Sequence, residues 1–262
     1  MNQHSLRHTV RDAGIDAEPV WRDETPSTSD EAKELAASGA PEWTVVSAGH
    51  QTAGRGRLGR SWVERPGTSL MFSLVLRPDL SPEAAPLLSL LAAAVMARAC
   101  RELTGVQVEA KWPNDLVVGD RKLAGLLAEA RVRGRSIEHV VLGMGVNRAA
   151  SENDFPPEIR ETATSLAIEG SAPEPEALLG RFLGGFRAMY RPTDGGFADE
   201  VLASYRGVCA TIGRRVRATT TDGREVEGEA ADVDPTGALI VETNGGREAV
   251  AFGEIEHLGG NG

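Results

Sequence analysis

The spacing of apolar positions divides this chain into a long region where helical and strand-like periods alternate and a shorter one of strand-like periods alone. Residues 1 to 24 are polar without a clear period and read as an irregular lead-in. From Ser27 to Ala37 the pattern predicts a helix, with Thr28 and Glu31 at capping-box spacing and Gly39 and Pro41 as the stop. Trp43 to Ser47 reads as a strand, and Ser69 to Leu76 as a buried one. A helix is predicted from about Pro82 to Leu103, with Ser81 as its cap, proline in its first turn and Gly105 past its end. Its apolar residues cover more than one stripe, so it is deeply packed.

Strand-like runs follow at Val106 to Lys111, Asp115 to Val118 and Lys122 to Ala130, with Gly119-Asp120 as a hairpin turn between the last two. His139 to Met144 supplies another and leads into Gly145-Val146-Asn147. Ala150 to Pro175 is rich in Pro, Glu and Ser and reads as a long surface connection, followed by helices over Glu176 to Tyr190 and Asp194 to Arg206. From Thr211 onward, short strands are punctuated by Asp222-Gly223, Asp234-Pro235-Thr236-Gly237 and Asn244-Gly245-Gly246, the texture of a small all-β unit. The expectation is a lead-in over 1–24, an α/β domain over 25–208 and a β domain over 209–262, which suits a chain of 262 residues.

Charge narrows the functional classes. A net charge of −10 argues against broad nucleic-acid binding, whose affinity comes from lysine and arginine neutralising phosphates. The two cysteines, Cys100 and Cys209, lack the spacing of a metal knuckle and are too few for a disulfide framework, so a reducing compartment suits them. The N-terminus has no continuous apolar core of a secretory signal, and the longest apolar run, Leu87 to Ala97, is too short to span a bilayer. A cytoplasmic protein without membrane contact is expected.

Gly54-Arg55-Gly56-Arg57-Leu58-Gly59 matches the dinucleotide-binding pattern G-x-G-x-x-G literally. That turn needs a helix beginning within it, whereas Arg60-Ser61-Trp62 runs on to Pro66-Gly67 with no helical period. The loop instead offers Arg55, Arg57 and Arg60, with Arg65 beyond and Glu64 as the opposing charge, a local basic excess in an acidic protein. Guanidinium groups suit carboxylate and phosphate oxygens, and the intervening glycines let backbone approach a ligand closely. A merely solvated basic loop is the alternative.

The neighbouring residues favour a ligand. Gln51-Thr52-Ala53-Gly54-Arg55-Gly56-Arg57 with Gly59-Arg60-Ser61-Trp62 resembles the biotin-binding loop of biotin protein ligases. Lys111-Trp112-Pro113-Asn114-Asp115, Arg121-Lys122-Leu123-Ala124-Gly125 and Gly143-Met144-Gly145-Val146-Asn147 resemble that family's other signatures, in the same order. The resemblance runs from about Ser27 through Leu166 and more loosely to the C-terminus. It implies an α/β catalytic domain related to class II aminoacyl-tRNA synthetases, followed by a small SH3-like β domain. Some members carry an N-terminal helix-turn-helix and act as repressors; only 26 residues precede Ser27 here, so no sequence-specific DNA binding is expected.

The resemblance assigns roles. Lys122 matches the family's active-site lysine, and its implied task is to bind the biotin carboxylate and the α-phosphate of ATP; an ordinary edge lysine is the alternative. Arg57, with Arg55 and Gly56 beside it, is implied to reach the same carboxylate and phosphate, while the loop from Gly54 closes over the intermediate and excludes water. Ser27, Thr28, Ser29 and Gln51 match biotin-contacting positions, where hydroxyls and an amide satisfy a ureido ring; for the serines and Thr28, helix capping is equally open. Trp62 is implied to pack near adenine, or else in the core. Arg60, Asn114 and Asn147 are implied nucleotide contacts, with turn roles as the alternative for the asparagines. Asp115 is left between Mg²⁺ and the acceptor amine.

The implied reaction joins biotin and ATP, with Mg²⁺, as biotinyl-AMP, then transfers the biotinyl group to a lysine of a biotin carboxyl carrier domain. Two rivals stand beside it: a lipoate or octanoate ligase or transferase of the same fold, and a biotin-binding regulator without turnover.

Overall fold

Two sheets organise the chain, described by a computed structural model over residues 1–251 and 253–258; the last residues of the expected β domain, 259–262, and Phe252 lie outside the described residues. The first sheet uses β1 (Val20–Arg22), β2 (Val45–Ala48), β3 (Ser69–Leu76), β4 (Glu109–Lys111), β5 (Asp115–Val118), β6 (Arg121–Arg133) and β7 (Ser136–Asn147) in the order β1-β2-β3-β7-β6-β5-β4. Every neighbouring pair in it is antiparallel except β1 with β2. The helices are α1 (Gln3–Asp12), α2 (Thr28–Ala37), α3 (Pro86–Thr104), α4 (Pro175–Met189) and α5 (Phe197–Arg206). The second sheet is wholly antiparallel, from β8 (Arg215–Thr220), β9 (Glu225–Val233), β10 (Leu239–Thr243), β11 (Gly246–Val250) and β12 (Gly253–His257), in the order β11-β10-β9-β8-β12. The protein is a mixed α/β fold with a sheet-rich C-terminal part.

The two faces of the first sheet have different partners, as the period of two requires. Leu74, Leu76, Val140 and Leu142 face the large core built on α3, α4 and α5, which continues into Val216, Leu239 and Val241 of the second sheet. Val46, Val75 and Val141 face the other way, against Ala32 and Ala36 of α2. Helix α3 is apolar around most of its circumference because it lies inside this core; Gly105, at φ 75°, ends it in the left-handed conformation that glycine adopts without strain.

Several expectations are corrected. Residues 3–12 are not irregular: Asn2 and Ser5 form a capping box, and Leu6, Thr9 and Val10 make a buried stripe at helical spacing. Met1 and Ser5 both reach Glu176 on α4, the first through its ammonium and the second by a 2.7 Å hydrogen bond. The cap of α2 is Ser27, whose hydroxyl accepts from the Asp30 amide, and not Thr28. Helix α3 starts at Pro86, after a single 3₁₀ turn over Pro82–Ala84, since proline needs no amide partner in a first turn. Only Glu109–Lys111 of the run beginning at Val106 is strand, and β6 and β7 extend past their apolar stretches as a hairpin projecting beyond the core.

Candidate active site

The site lies on the α2 face, along one row of register partners that crosses five strands: Met71 opposite Gly145, Gly145 opposite Gly125, Gly125 opposite Asp115, and Asp115 opposite Lys111. A cavity of about 360 Å³ runs over this row. Glycines keep it open to close neighbours. A Cβ on Gly145 would stand 2.6 Å from the Trp62 ring, and one on Gly143 would stand 2.4 Å from the Ser29 hydroxyl. The indole of Trp62 therefore rests directly on backbone, with its Nε1 buried and without a hydrogen-bond partner among the described residues.

One end of the cavity is a net of short polar side chains. The Gln51 carbonyl oxygen accepts from the Thr28 amide at 2.8 Å and from the Thr28 hydroxyl at 3.0 Å. Ser73 Oγ lies 2.9 Å from the Thr28 hydroxyl and 3.0 Å from that of Ser29. The amide nitrogen of Gln51 points at the Met71 sulfur, 3.3 Å away. Thr28, Ser29 and Ser73 are buried and Gln51 is half-buried, yet the group is rich in both donors and acceptors, which suits a small polar heterocycle.

Further along the row the charge is positive. Strict alternation along β6 would put Lys122 on the same face as the core residues Ala124 and Leu126. A bulge prevents this: Leu116 pairs with Ala124 but Val117 pairs with Lys122, skipping Leu123, so Lys122 returns to the cavity face. Its Nζ lies 2.7 Å from Asp115 Oδ1, an ion pair whose angle falls outside a hydrogen bond, since Oδ1 is buried without an aligned donor. The next residue back, Asn114, holds the second cation: Arg57 Nη1 donates to Asn114 Oδ1 at 3.1 Å and to the Gly253 carbonyl at 3.3 Å. Burial lowers the Arg57 pKa, against the raising influence of Asp115 and Glu254. Asn114 is fixed in turn, its amide donating to the Leu126 carbonyl at 2.7 Å.

The arginine loop is tied down from three sides. Arg55 reaches Asp30 on α2 and Glu129 on β6, Arg57 reaches Asn114, and Arg60 pairs with Glu254 at the start of β12. Gly54 is needed where the loop recrosses itself, because the Trp62 amide donates to its carbonyl at 2.9 Å and a Cβ there would stand 2.8 Å from the Trp62 oxygen. No α-helix starts in Gly54–Gly59; only a 3₁₀ turn, Arg57–Gly59, occurs there.

Of the residues singled out in the sequence, Thr28, Ser29, Gln51, Arg55, Gly56, Arg57, Arg60, Trp62, Asn114, Asp115 and Lys122 line this cavity. Ser27, Gly54 and Asn147 do not. Ser27 is occupied as a helix cap, Gly54 supports the loop crossing, and the buried Asn147 amide donates to the Thr164 carbonyl at 3.0 Å. Residues to which the sequence assigned no role are Lys111, quoted only as part of a motif, together with Ser73 and the Gly253–Ile255 segment of β12, which closes one side of the cavity. Ser73 left one trace in the sequence, a polar residue amid an apolar strand; Glu254 left none.

Comparison with known proteins gives the same reading. The profile described as the biotin/lipoate A/B protein ligase family matches residues 22–147, and that of the biotin protein ligase C terminal domain matches residues 211–258. The bifunctional ligase/repressor BirA of Bacillus subtilis is 32% identical over 257 residues, covering 98% of this chain and 79% of the relative. The biotin–[acetyl-CoA-carboxylase] ligase of Mycobacterium tuberculosis is 34% identical, covering 95% of this chain and 94% of its own. The chain belongs to the biotin protein ligase family. A solved biotin protein ligase from Aquifex aeolicus, in complex with biotin and ATP, superposes with a TM-score of 0.73 at 25% identity, over 91% of this chain and 97% of the other. Both parts of a biotin protein ligase, the catalytic domain and its C-terminal β domain, are therefore present, and the second contributes Gly253 and Glu254 to the site of the first.

Proposed function

We propose that this enzyme activates biotin with ATP as biotinyl-AMP and transfers the biotinyl group to a lysine of a carboxylase carrier domain. The supporting observation is that one cavity joins a net of hydroxyls and an amide to two cations on adjacent residues, Arg57 on Asn114 and Lys122 beside Asp115. The ureido ring of biotin satisfies Thr28, Ser29 and Gln51, with Ser73 behind them, whereas the dithiolane of lipoate offers such groups no hydrogen bonds. The carboxylate then points toward Lys122 and Arg57, whose charges draw it and the α-phosphate together as the new P–O bond forms and pyrophosphate leaves. Trp62, Arg60 and Asn114 take the nucleotide, and the loop through Arg55 and Gly56 shields the mixed anhydride from water.

In the second step the acceptor amine attacks the biotinyl carbonyl and AMP departs. Asp115 is the carboxylate placed to orient that amine or receive its proton. Mg²⁺ would enter with ATP, and Asp115 is the carboxylate of the cavity that would hold it. The ion would add neutralisation of phosphate charge. We place the protein in the cytoplasm, where its two free cysteines stay reduced. Operator binding lies outside this proposal, because the helix ahead of α2 is committed to packing on α4.

The test is biotin-dependent exchange of pyrophosphate into ATP, followed by labelling of a purified carrier domain. Both should occur with biotin and neither with lipoate or octanoate. Exchange driven by lipoate would move the substrate to the sister class, and tight biotin retention with no labelling would make the protein a regulator.

A further inference from the structure

The guanidinium of Arg55 is committed to carboxylates that stand outside the cavity. It meets Asp30 of α2 and, at 3.3 Å, Oε2 of Glu129 on β6. Lys33, one turn after Asp30 on the same helix, takes the other oxygen, Glu129 Oε1, at 2.5 Å and stands 3.5 Å from Asp30. Two acids and two bases thus alternate in a ring that joins the arginine loop, α2 and β6. None of the steps above uses Asp30, Lys33 or Glu129.

The sheet puts this ring at the end of the cavity where the hydroxyls lie. Gly125 and Leu127 line the cavity, and alternation along β6 carries Glu129 to the same face one step further on. Its register partner Val141 packs against Ala32 and Ala36 of α2, while Gly143, one step back, lies under the Ser29 hydroxyl. Three of the four charges are in place without the loop, because Asp30 and Lys33 share a helix and Lys33 bridges to β6. Alone they are two carboxylates served by one ammonium, a receptor with one negative charge in excess. Arg55 restores neutrality there, and Arg57 is bonded to Asn114, so the loop is anchored on both sides of Gly56, which lines the cavity.

We propose that Glu129, with Asp30, is the catch that holds the arginine loop shut through Arg55 and so sets how long biotinyl-AMP is retained before a carrier domain arrives. Glu129 touches no substrate and is a positioning residue. This rests on the biotin-activating function proposed above and adds to it the control of the intermediate's release. Opening the loop parts Arg55 from both carboxylates and returns the excess negative charge, so charge opposes opening and salt weakens that opposition. Arg55 is exposed and its partners are half-buried, so the effect is several-fold and no larger. Lys33 competes with Arg55 for the same two acids and therefore loosens the catch.

The experiment lets wild type, Glu129→Gln and Lys33→Met form labelled biotinyl-AMP from biotin and ATP, then follows its release into an excess of unlabelled biotinyl-AMP at low and high salt. Glu129→Gln should release the intermediate about two- to fivefold faster than wild type, with thermal midpoint and maximal pyrophosphate exchange little changed, and its release should respond less to salt. Lys33→Met should release no faster than wild type, since both acids then face Arg55 alone. A merely structural link between α2 and β6 would make the two variants behave alike; that result, or a wild-type release rate in Glu129→Gln, overturns the proposal. A wild-type protein that forms no biotinyl-AMP would instead overturn the underlying function.

Discussion

The ammonium of Lys122 stands 2.7 Å from Oδ1 of Asp115, and it does so because a bulge at Leu123 rotates one residue of β6 out of the core face. In this arrangement the charge that would attract biotin's carboxylate already has a counter-ion at its side. Asp115, with Glu254, also raises the Arg57 pKa against the larger lowering by burial, so this one carboxylate acts on both cations.

Asp115→Asn keeps the shape and removes the charge. Both partners are partly exposed, so the stability cost should be under about 1 kcal/mol. Transfer from biotinyl-AMP to the carrier should fall by tenfold or more while pyrophosphate exchange falls less. Equal loss in both assays would assign Asp115 to the first step instead.

Ser27 and Thr28 are adjacent in sequence but differ in position. Ser27→Ala removes a helix cap and should cost about 1 kcal/mol of stability, with biotin affinity unchanged. Thr28→Val strips a hydroxyl bonded to Gln51 and Ser73, and should weaken biotin binding by about tenfold as measured by calorimetry. A reversed pattern would relocate the ring.

Gly145→Ala places a methyl 2.6 Å from the Trp62 ring, so the indole must leave the sheet. Trp62 emission should shift and adenylation should drop roughly tenfold, the effect of about 1–3 kcal/mol of overpacking. Adding Trp62→Ala should relieve the stability part of the defect, a coupling that a double-mutant cycle measures.

His257 gives the fold a pH dependence. Its Nδ1 accepts from Arg214 at 3.1 Å, which leaves Nε2–H to donate to Thr211 at 3.2 Å, so the ring is neutral. Burial, with Lys111 and Arg214 nearby and Asp120 opposing, pushes its pKa down to about 4. The unfolded ring titrates near 6.5, so between these values the unfolded state binds more protons. Stability should be full above pH 6.5 and decline as pH falls toward 4, by at most about 3 kcal/mol and roughly half that after solvent screening. Denaturant midpoints at pH 7.5 and 4.5 should differ more in wild type than in His257→Asn.

Much of this was legible in the sequence where one physical rule acted alone. The start of β5 at Asp115 and the end of α3 at Gly105 follow from local pattern. Helix α1 was not legible because Leu6, Thr9 and Val10 are too few to establish a period, and its support comes from Glu176, far along the chain. The face of Lys122 depends on a bulge that alternation cannot foresee. Glu254 reaches Arg60 only because the second sheet folds back over the loop, a long-range contact without a local signature.

The central claim is that Arg57 and Lys122 together bring biotin's carboxylate to the α-phosphate. It is tested most directly by pyrophosphate exchange in Arg57→Ala, Lys122→Ala and the double variant, with folding checked by thermal midpoint. Each single change should cut exchange at least a hundredfold, and the pair should lose less than the product of the two, as groups acting on one transition state do. Near-wild-type exchange in either single variant would contradict the account.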